Sequence, residues 1–171
     1  MVFCGLDASL STCGYAFTDE NKHIISAGFV DLTPFSTNRL KSAAVVEMIK
    51  SKCPIDYNEL NRINLEGALS GFSGPSSRSV VVKLARWSAV LEFVLQDSFV
   101  CPINLVNAVT ARKQLFGKAR IVGVKPKVYV KSMMDKLYDT SAWAVTNRVG
   151  NPDKRNEDML DAIVIATYAP T

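Results

Sequence analysis

The sequence has very little histidine: His23 is the single one in 171 residues. That excludes His-rich zinc sites and leaves Ser–His or Cys–His catalysis resting wholly on His23. Cysteine is sparse as well. Cys4, Cys13, Cys53 and Cys101 stand apart, with no CxxC pair among them. Cys4 and Cys13 fall in apolar, strand-like runs, so reduced core thiols are the expected state. No apolar run is long enough for a bilayer span. The segment MVFCGLDASL lacks the basic and apolar regions of a signal peptide. The expectation is a protein without a membrane partner that acts in the compartment where it is made. Any chemistry has to rest on carboxylates, lysines and metal.

What is present suits one globular domain over residues 1–171. Hydrophobic residues make up 48% and charged residues 21%, ordinary values for a chain with a full core. The net charge is +4, and it is unevenly placed. From Arg112 to Lys136 the bases are Arg112, Lys113, Lys118, Arg120, Lys125, Lys127, Lys131 and Lys136, against the single acid Asp135. Such a run is either a solvated helix face or the footprint of a polyanionic partner.

Along the chain, VFCGL reads as a buried strand ending at Asp7, and CGYAFT and HIISAGFVDL as two more in an antiparallel meander. Ser36 or Thr37 is placed to cap a helix over Asn38–Lys52. RINLEG reads as a fourth strand with Glu66 at its end. The Gly/Ser/Pro stretch GALSGFSGPSSRS then leads into a long helix from about Ser79 to Gln96. In that helix Val82, Ala85, Ala89, Val90 and Phe93 are the expected core stripe. INLV is a fifth strand. Helical pieces follow at Val109–Phe116 and Lys127–Leu137, then a polar loop over Asp139–Lys154. A final helix runs from Asn156, a plausible N-cap, to about Tyr168. This order predicts an α/β protein whose mixed five-stranded sheet is flanked by helices.

Four acids stand where the pattern predicts burial. Asp7 and Glu66 each end a strand, while Asp158 and Asp161 share one face of the last helix. Each also has an ordinary reading. Asp7 is suited to capping the turn into the second strand, and Asp158 and Glu157 to a helix macrodipole. Asp161 and Glu66 are harder to explain that way. Converging carboxylates repel one another and are usually reconciled by hard divalent cations. Two such ions can hold both the attacking and the leaving oxygen of a phosphodiester, with no histidine required.

GLDASLSTCGYAF resembles the first strand and hairpin of the RuvC family, INLEG its second motif, and NEDMLDAIVIA its closing helix. The resemblance runs in order over nearly the whole chain. It implies a ribonuclease H-like fold and an Mg²⁺-dependent endonuclease, with Mn²⁺ as substitute, that resolves Holliday junctions or related branched DNA in recombination and repair. It also implies a homodimer, and the cytoplasm of a bacterial or phage-infected cell. Metal-binding catalytic roles then fall on Asp7, Glu66, Asp158 and Asp161. Family lysines facing the scissile phosphate match Lys118 and Lys127 best, with Lys113 and Lys125 as close rivals. The loops Asp139–Lys154 and GFSGPSS depart from the family pattern.

DNA contacts are expected from Lys113, Lys118, Arg120, Lys125 and Lys127, and from Phe72. The aromatic ring of Phe72, set among Gly, Ser and Pro, is suited either to a lid over the core or to a wedge stacking on bases. Val80, Leu84, Trp87 and Leu91 exceed what one sheet face buries, which makes the long helix the expected dimer contact. Three rival readings remain: an RNA/DNA-hybrid nuclease, an actin-like phosphotransferase, and a non-catalytic branched-DNA-binding module. GFSGPSS lacks the Lys-Ser/Thr ending of a P-loop.

Overall fold

A computed structural model of the chain describes residues 1–67 and 78–170. Strands β1 (Val2–Ala8), β2 (Thr12–Asp19) and β3 (Ile24–Asp31) form the antiparallel meander. Helix α1 (Asn38–Lys52) leads through a single-turn 3₁₀ helix (Tyr57–Glu59) to β4 (Arg62–Glu66). Helix α2 (Arg78–Ser98) precedes β5 (Ile103–Val106), and α3 (Ala108–Phe116), α4 (Pro126–Leu137) and α5 (Asn156–Ala166) close the chain. The sheet order is β3-β2-β1-β4-β5, with β1–β4 and β4–β5 parallel. The parallel pairs require helical crossovers, and α1 and α2 supply them.

The sheet carries helices on both faces because its strands alternate. Cys4, Leu6, Cys13, Phe17, Ile63 and Leu65 point to the side covered by α1 and α2. Ala16 faces the other side, where Val130 and Met134 of α4 and Met159, Ala162 and Ile163 of α5 are buried. α5 is apolar nearly all round, with every residue from Met159 to Ala166 buried, as befits a helix enclosed by the sheet, α3 and α4.

Two glycines let α5 lie on the sheet backbone. A Cβ on Gly5 would stand 2.3 Å from the Ala162 carbonyl oxygen, and one on Gly14 would stand 2.1 Å from that of Asp158. Further along, Asn64 Nδ2 donates to the carbonyls of Ile165 and Tyr168. These bonds add to the backbone turn that closes the C-terminal end of α5.

The element pattern agrees closely with the sequence expectation, with two corrections. Thr37 is the cap of α1, its hydroxyl accepting from Leu40 N. Asn156, however, does not cap α5. Its amide instead pairs with both backbone groups of Val145 (3.0 and 2.8 Å) and ties down the preceding loop. That loop is closed by a bridge between Thr146 and Pro152, with Gly150 in the left-handed region.

The second correction concerns α2, whose buried residues are Trp87, Leu91 and Leu95. Val82 (48% exposed) and Phe93 (70%), expected in the core, face outward. The helix carries two apolar stripes at the same period on opposite sides. The one holding the large indole fills the core, because it buries the most apolar surface.

Candidate active site

The C-terminal ends of β1 and β4 lie side by side, with Leu6 registered against Leu65. Asp7 and Glu66 are the next residues along. Strand alternation turns Asp7 to the face of Gly5 and Glu66 to that of Asn64, which is the face α5 covers. Asp7 pairs with Gly14 on β2, and Gly14 is where the backbone of Asp158 touches the sheet. Asp161 follows one turn later and is 8% exposed. One tight helix-on-sheet contact thus brings Asp158 and Asp161 toward two acids that lie far from them in sequence.

Their electrostatics follow from that crowding. Burial pushes the Asp7 carboxyl well above its ordinary value, and so do the charge of Glu66, a hydrogen bond with it, and the charges of Asp161 and Asp158. Asp158 is raised by burial too, against the pull of Lys127, with Asp161 and Glu157 adding to the rise. The hairpin turn after Asp7 is closed by Ser9, whose hydroxyl donates to the Thr12 carbonyl and accepts from Thr12 N. Asp7 is therefore not the turn's cap, and that ordinary reading of it falls.

Two cations meet the acids. Arg112 of α3 donates from Nη2 to Asp161 Oδ1 at 2.9 Å. Lys127, in the first turn of α4, lies 2.9 Å from Glu157 and 3.6 Å from Asp158. Partial burial pulls its ammonium down, but the hydrogen bond to Glu157 and the charges of Asp158, Glu157 and Asp161 outweigh this and hold its pKa above the usual lysine value. Among the described residues, no three His, Cys, Asp or Glu side chains stand close enough to share one metal ion. Asp161 turns to Arg112, and Asp158 has Lys127 beside it. The chemistry of the set still fits a hard divalent cation. All four donors are carboxylates, and the burial and like charge that disfavour the Asp7 carboxylate are what a divalent ion would relieve.

Beside the acids opens a groove of about 750 Å³, lined by Glu66, Asn107, Arg112, Lys113, Lys118 and Arg120 among others. Four of the expected basic residues therefore meet the site: Lys113, Lys118 and Arg120 in the groove, and Lys127 at Asp158. Tyr129 Oη donates to the Lys118 carbonyl and fixes the loop that carries it. Lys125 is exposed at the start of α4 and lines no part of the groove. Lys131 pairs with Asp135, and both line another cavity with Lys136, away from the acids. Phe72 lies outside the described residues.

His23 is paired with Asp19 at the opposite end of β2 and has no access to the acids. Cys4 and Cys13 are buried free thiols, as expected. No helix of the described residues is long and apolar enough to cross a membrane.

Sequence reasoning gave no site role to Arg112 or Glu157. The available signal for Arg112 was its position one turn beyond the buried Ala108 and next to the buried Ala111. Glu157 was assigned to the helix dipole alone, yet it is the closest acidic partner of Lys127.

No protein-family model matches the chain, and no curated protein sequence does either. Solved structures do. Thermus thermophilus RuvC is 14% identical, with 98% of this chain and 92% of that chain covered at a TM-score of 0.59. The same protein in complex with a Holliday junction substrate gives 12%, 98%, 90% and 0.58. The yeast mitochondrial Holliday junction resolvase Ydc2 is 16% identical, with 96% of this chain and 75% of that chain covered at 0.54. A Streptomyces griseus ROK family glucokinase matches 70% of this chain but 38% of its own, at 15% identity and 0.50. The chain therefore has the RuvC-like form of the ribonuclease H fold, matched over nearly its whole length.

Proposed function

We propose that the protein is a metal-dependent endonuclease that cuts branched DNA, four-way junctions above all, and that it works as a homodimer. The observation that supports this most is the placing of Asp7 and Glu66 on adjacent parallel strand ends, under the helix that carries Asp158 and Asp161. A basic groove opens directly from Glu66. The two similar resolvases, one of them in complex with a Holliday junction, share this fold and suggest the substrate class.

Asp7, Glu66, Asp158 and Asp161 would hold Mg²⁺, or Mn²⁺ in its place. When bound, the metal activates water and offsets the charge of the phosphodiester oxygens. The chain's own residues do the rest. Lys113, Lys118 and Arg120 hold a sugar–phosphate backbone along the groove. Lys118 and Lys127 carry positive charge toward the phosphate oxygens, where negative charge builds during cleavage. Glu157 keeps the Lys127 ammonium next to Asp158. From the sequence alone, Phe72 is proposed to stack on bases at the branch point, and Lys125 to steer DNA from further out.

The test is incubation of the purified protein with labelled four-way junction, linear duplex and RNA/DNA hybrid, each with Mg²⁺ or with EDTA. Cleavage of the junction alone, and only with Mg²⁺, is expected. Preferential cleavage of the hybrid would favour the ribonuclease reading, and binding without cleavage the non-catalytic one. Asp7→Asn, Glu66→Gln, Asp158→Asn and Asp161→Asn should each abolish cutting while junction binding survives, because affinity comes mainly from phosphate contacts with basic residues.

A further inference from the structure

Resting on that metal-dependent reading, we propose that Arg112 is a positioning residue, a built-in competitor that holds Asp161 until a divalent cation displaces it. The Arg112–Asp161 pair is nearly enclosed, with side chains 15% and 11% exposed. A pair so placed anchors α3 against α5, and an anchor alone calls for satisfied donors. Arg112 falls short of that. Its Nε is buried with no partner among the described residues. Arg112 is one of the residues lining the groove that holds Glu66, Lys113 and Lys118. The arrangement leaves one donor of a strong planar group unused beside a groove suited to phosphate.

A guanidinium and a divalent ion cannot both sit on one carboxylate in a partly desolvated site without strong repulsion. Cation binding at Asp161 therefore drives Arg112 outward, and the groove is where it has room. There a phosphate would accept its fork of donors more fully than one carboxylate oxygen does. By linkage, whatever draws Arg112 off Asp161 tightens metal binding by the same factor that metal tightens its capture. The pair thus makes metal and nucleic acid bind cooperatively, and keeps the acid cluster partly neutralised in their absence.

The experiment measures Mn²⁺ binding to the free full-length protein by electron paramagnetic resonance, with no DNA present. Arg112→Gln should bind Mn²⁺ about fivefold tighter or more, whereas Arg112→Lys, which keeps the charge, should stay near wild type. In EDTA, Arg112→Gln should melt lower than wild type, and saturating Mn²⁺ should raise its melting temperature further than it raises that of wild type. Equal or weaker Mn²⁺ binding by a folded Arg112→Gln would reduce the pair to an anchor and overturn the proposal. If that variant does not fold, the wild type still decides. Mg²⁺ should expose the Arg112 Nε–H, seen by nuclear magnetic resonance as faster solvent exchange, and an unchanged signal would count against release. A wild type that binds no Mn²⁺ at millimolar concentration would instead bring down the metal reading itself, and this inference with it.

Discussion

The surroundings of Asp7 resist a negative charge on it. Burial, then Glu66, then the acids of α5 all favour the neutral carboxyl. A folded pKa raised above the unfolded value gives stability that is full below the unfolded value and is lost as pH rises through the folded one. The metal-free protein is thus destabilised by Asp7 at neutral pH. Asp7→Asn should melt several degrees higher than wild type at about pH 7–8 in EDTA, and the gap should close toward about pH 4. Scanning calorimetry across that range checks it, and parallel curves would show that the carboxyl is not strained. Cleavage takes the opposite sign. Under the proposed mechanism it needs the carboxylate, so its rate should climb over the pH range in which the metal-free fold weakens.

The lysines separate at the same scale. Lys118→Ala and Lys127→Ala should lower kcat about tenfold or more and reduce junction affinity by less. Lys131→Ala and Lys136→Ala should weaken binding and flatten its salt dependence instead. Single-turnover rates measured beside binding isotherms distinguish the two. If all four behave alike, the basic run acts only through its field.

α5 is the element on which the site depends, because it lies on the sheet with no side chain between them at Gly5 and Gly14. A methyl at Gly14 would meet the Asp158 carbonyl at 2.1 Å, where neither backbone can yield locally. Gly14→Ala should therefore cost about 2–3 kcal/mol of stability or more and displace Asp158 and Asp161 together. Denaturant unfolding gives the first number. Loss of cleavage in protein that remains folded under the assay conditions gives the second. A stable, active Gly14→Ala would mean that α5 can shift without disturbing the acids.

For the whole molecule, α2 poses the question of assembly. With Trp87 and Leu91 in the core, they are withdrawn from the dimer contact expected of them. Val80, also expected there, is 38% exposed, and an outward stripe of Val82, Ala89 and Phe93 is open to a second copy. A twofold pair of active sites suits the symmetric strands of a junction. Phe93→Glu should turn a dimer into a monomer in light scattering at micromolar concentration. The melting temperature of the monomer should be unchanged, since Phe93 is 70% exposed. Wild type that is monomeric at that concentration would end the dimer reading.

The amino-acid order alone determined the elements and the four acids. Strand alternation, helix period and turn residues are local properties, and a carboxylate ending an apolar strand is conspicuous without coordinates. Which stripe of α2 faces inward was not legible, because two apolar stripes at the same period differ only in what lies opposite them. Arg112 was lost among the other bases of its run, since a basic run looks the same whether its members are solvated or one is buried against an acid 49 residues away. Lys127 and Lys125 are likewise indistinguishable as residues, and only the packing of α4 on α5 sets one at Asp158 and leaves the other in solvent. Those choices belong to the tertiary structure, because partners distant in the chain become neighbours only when sheet and helices close on one another.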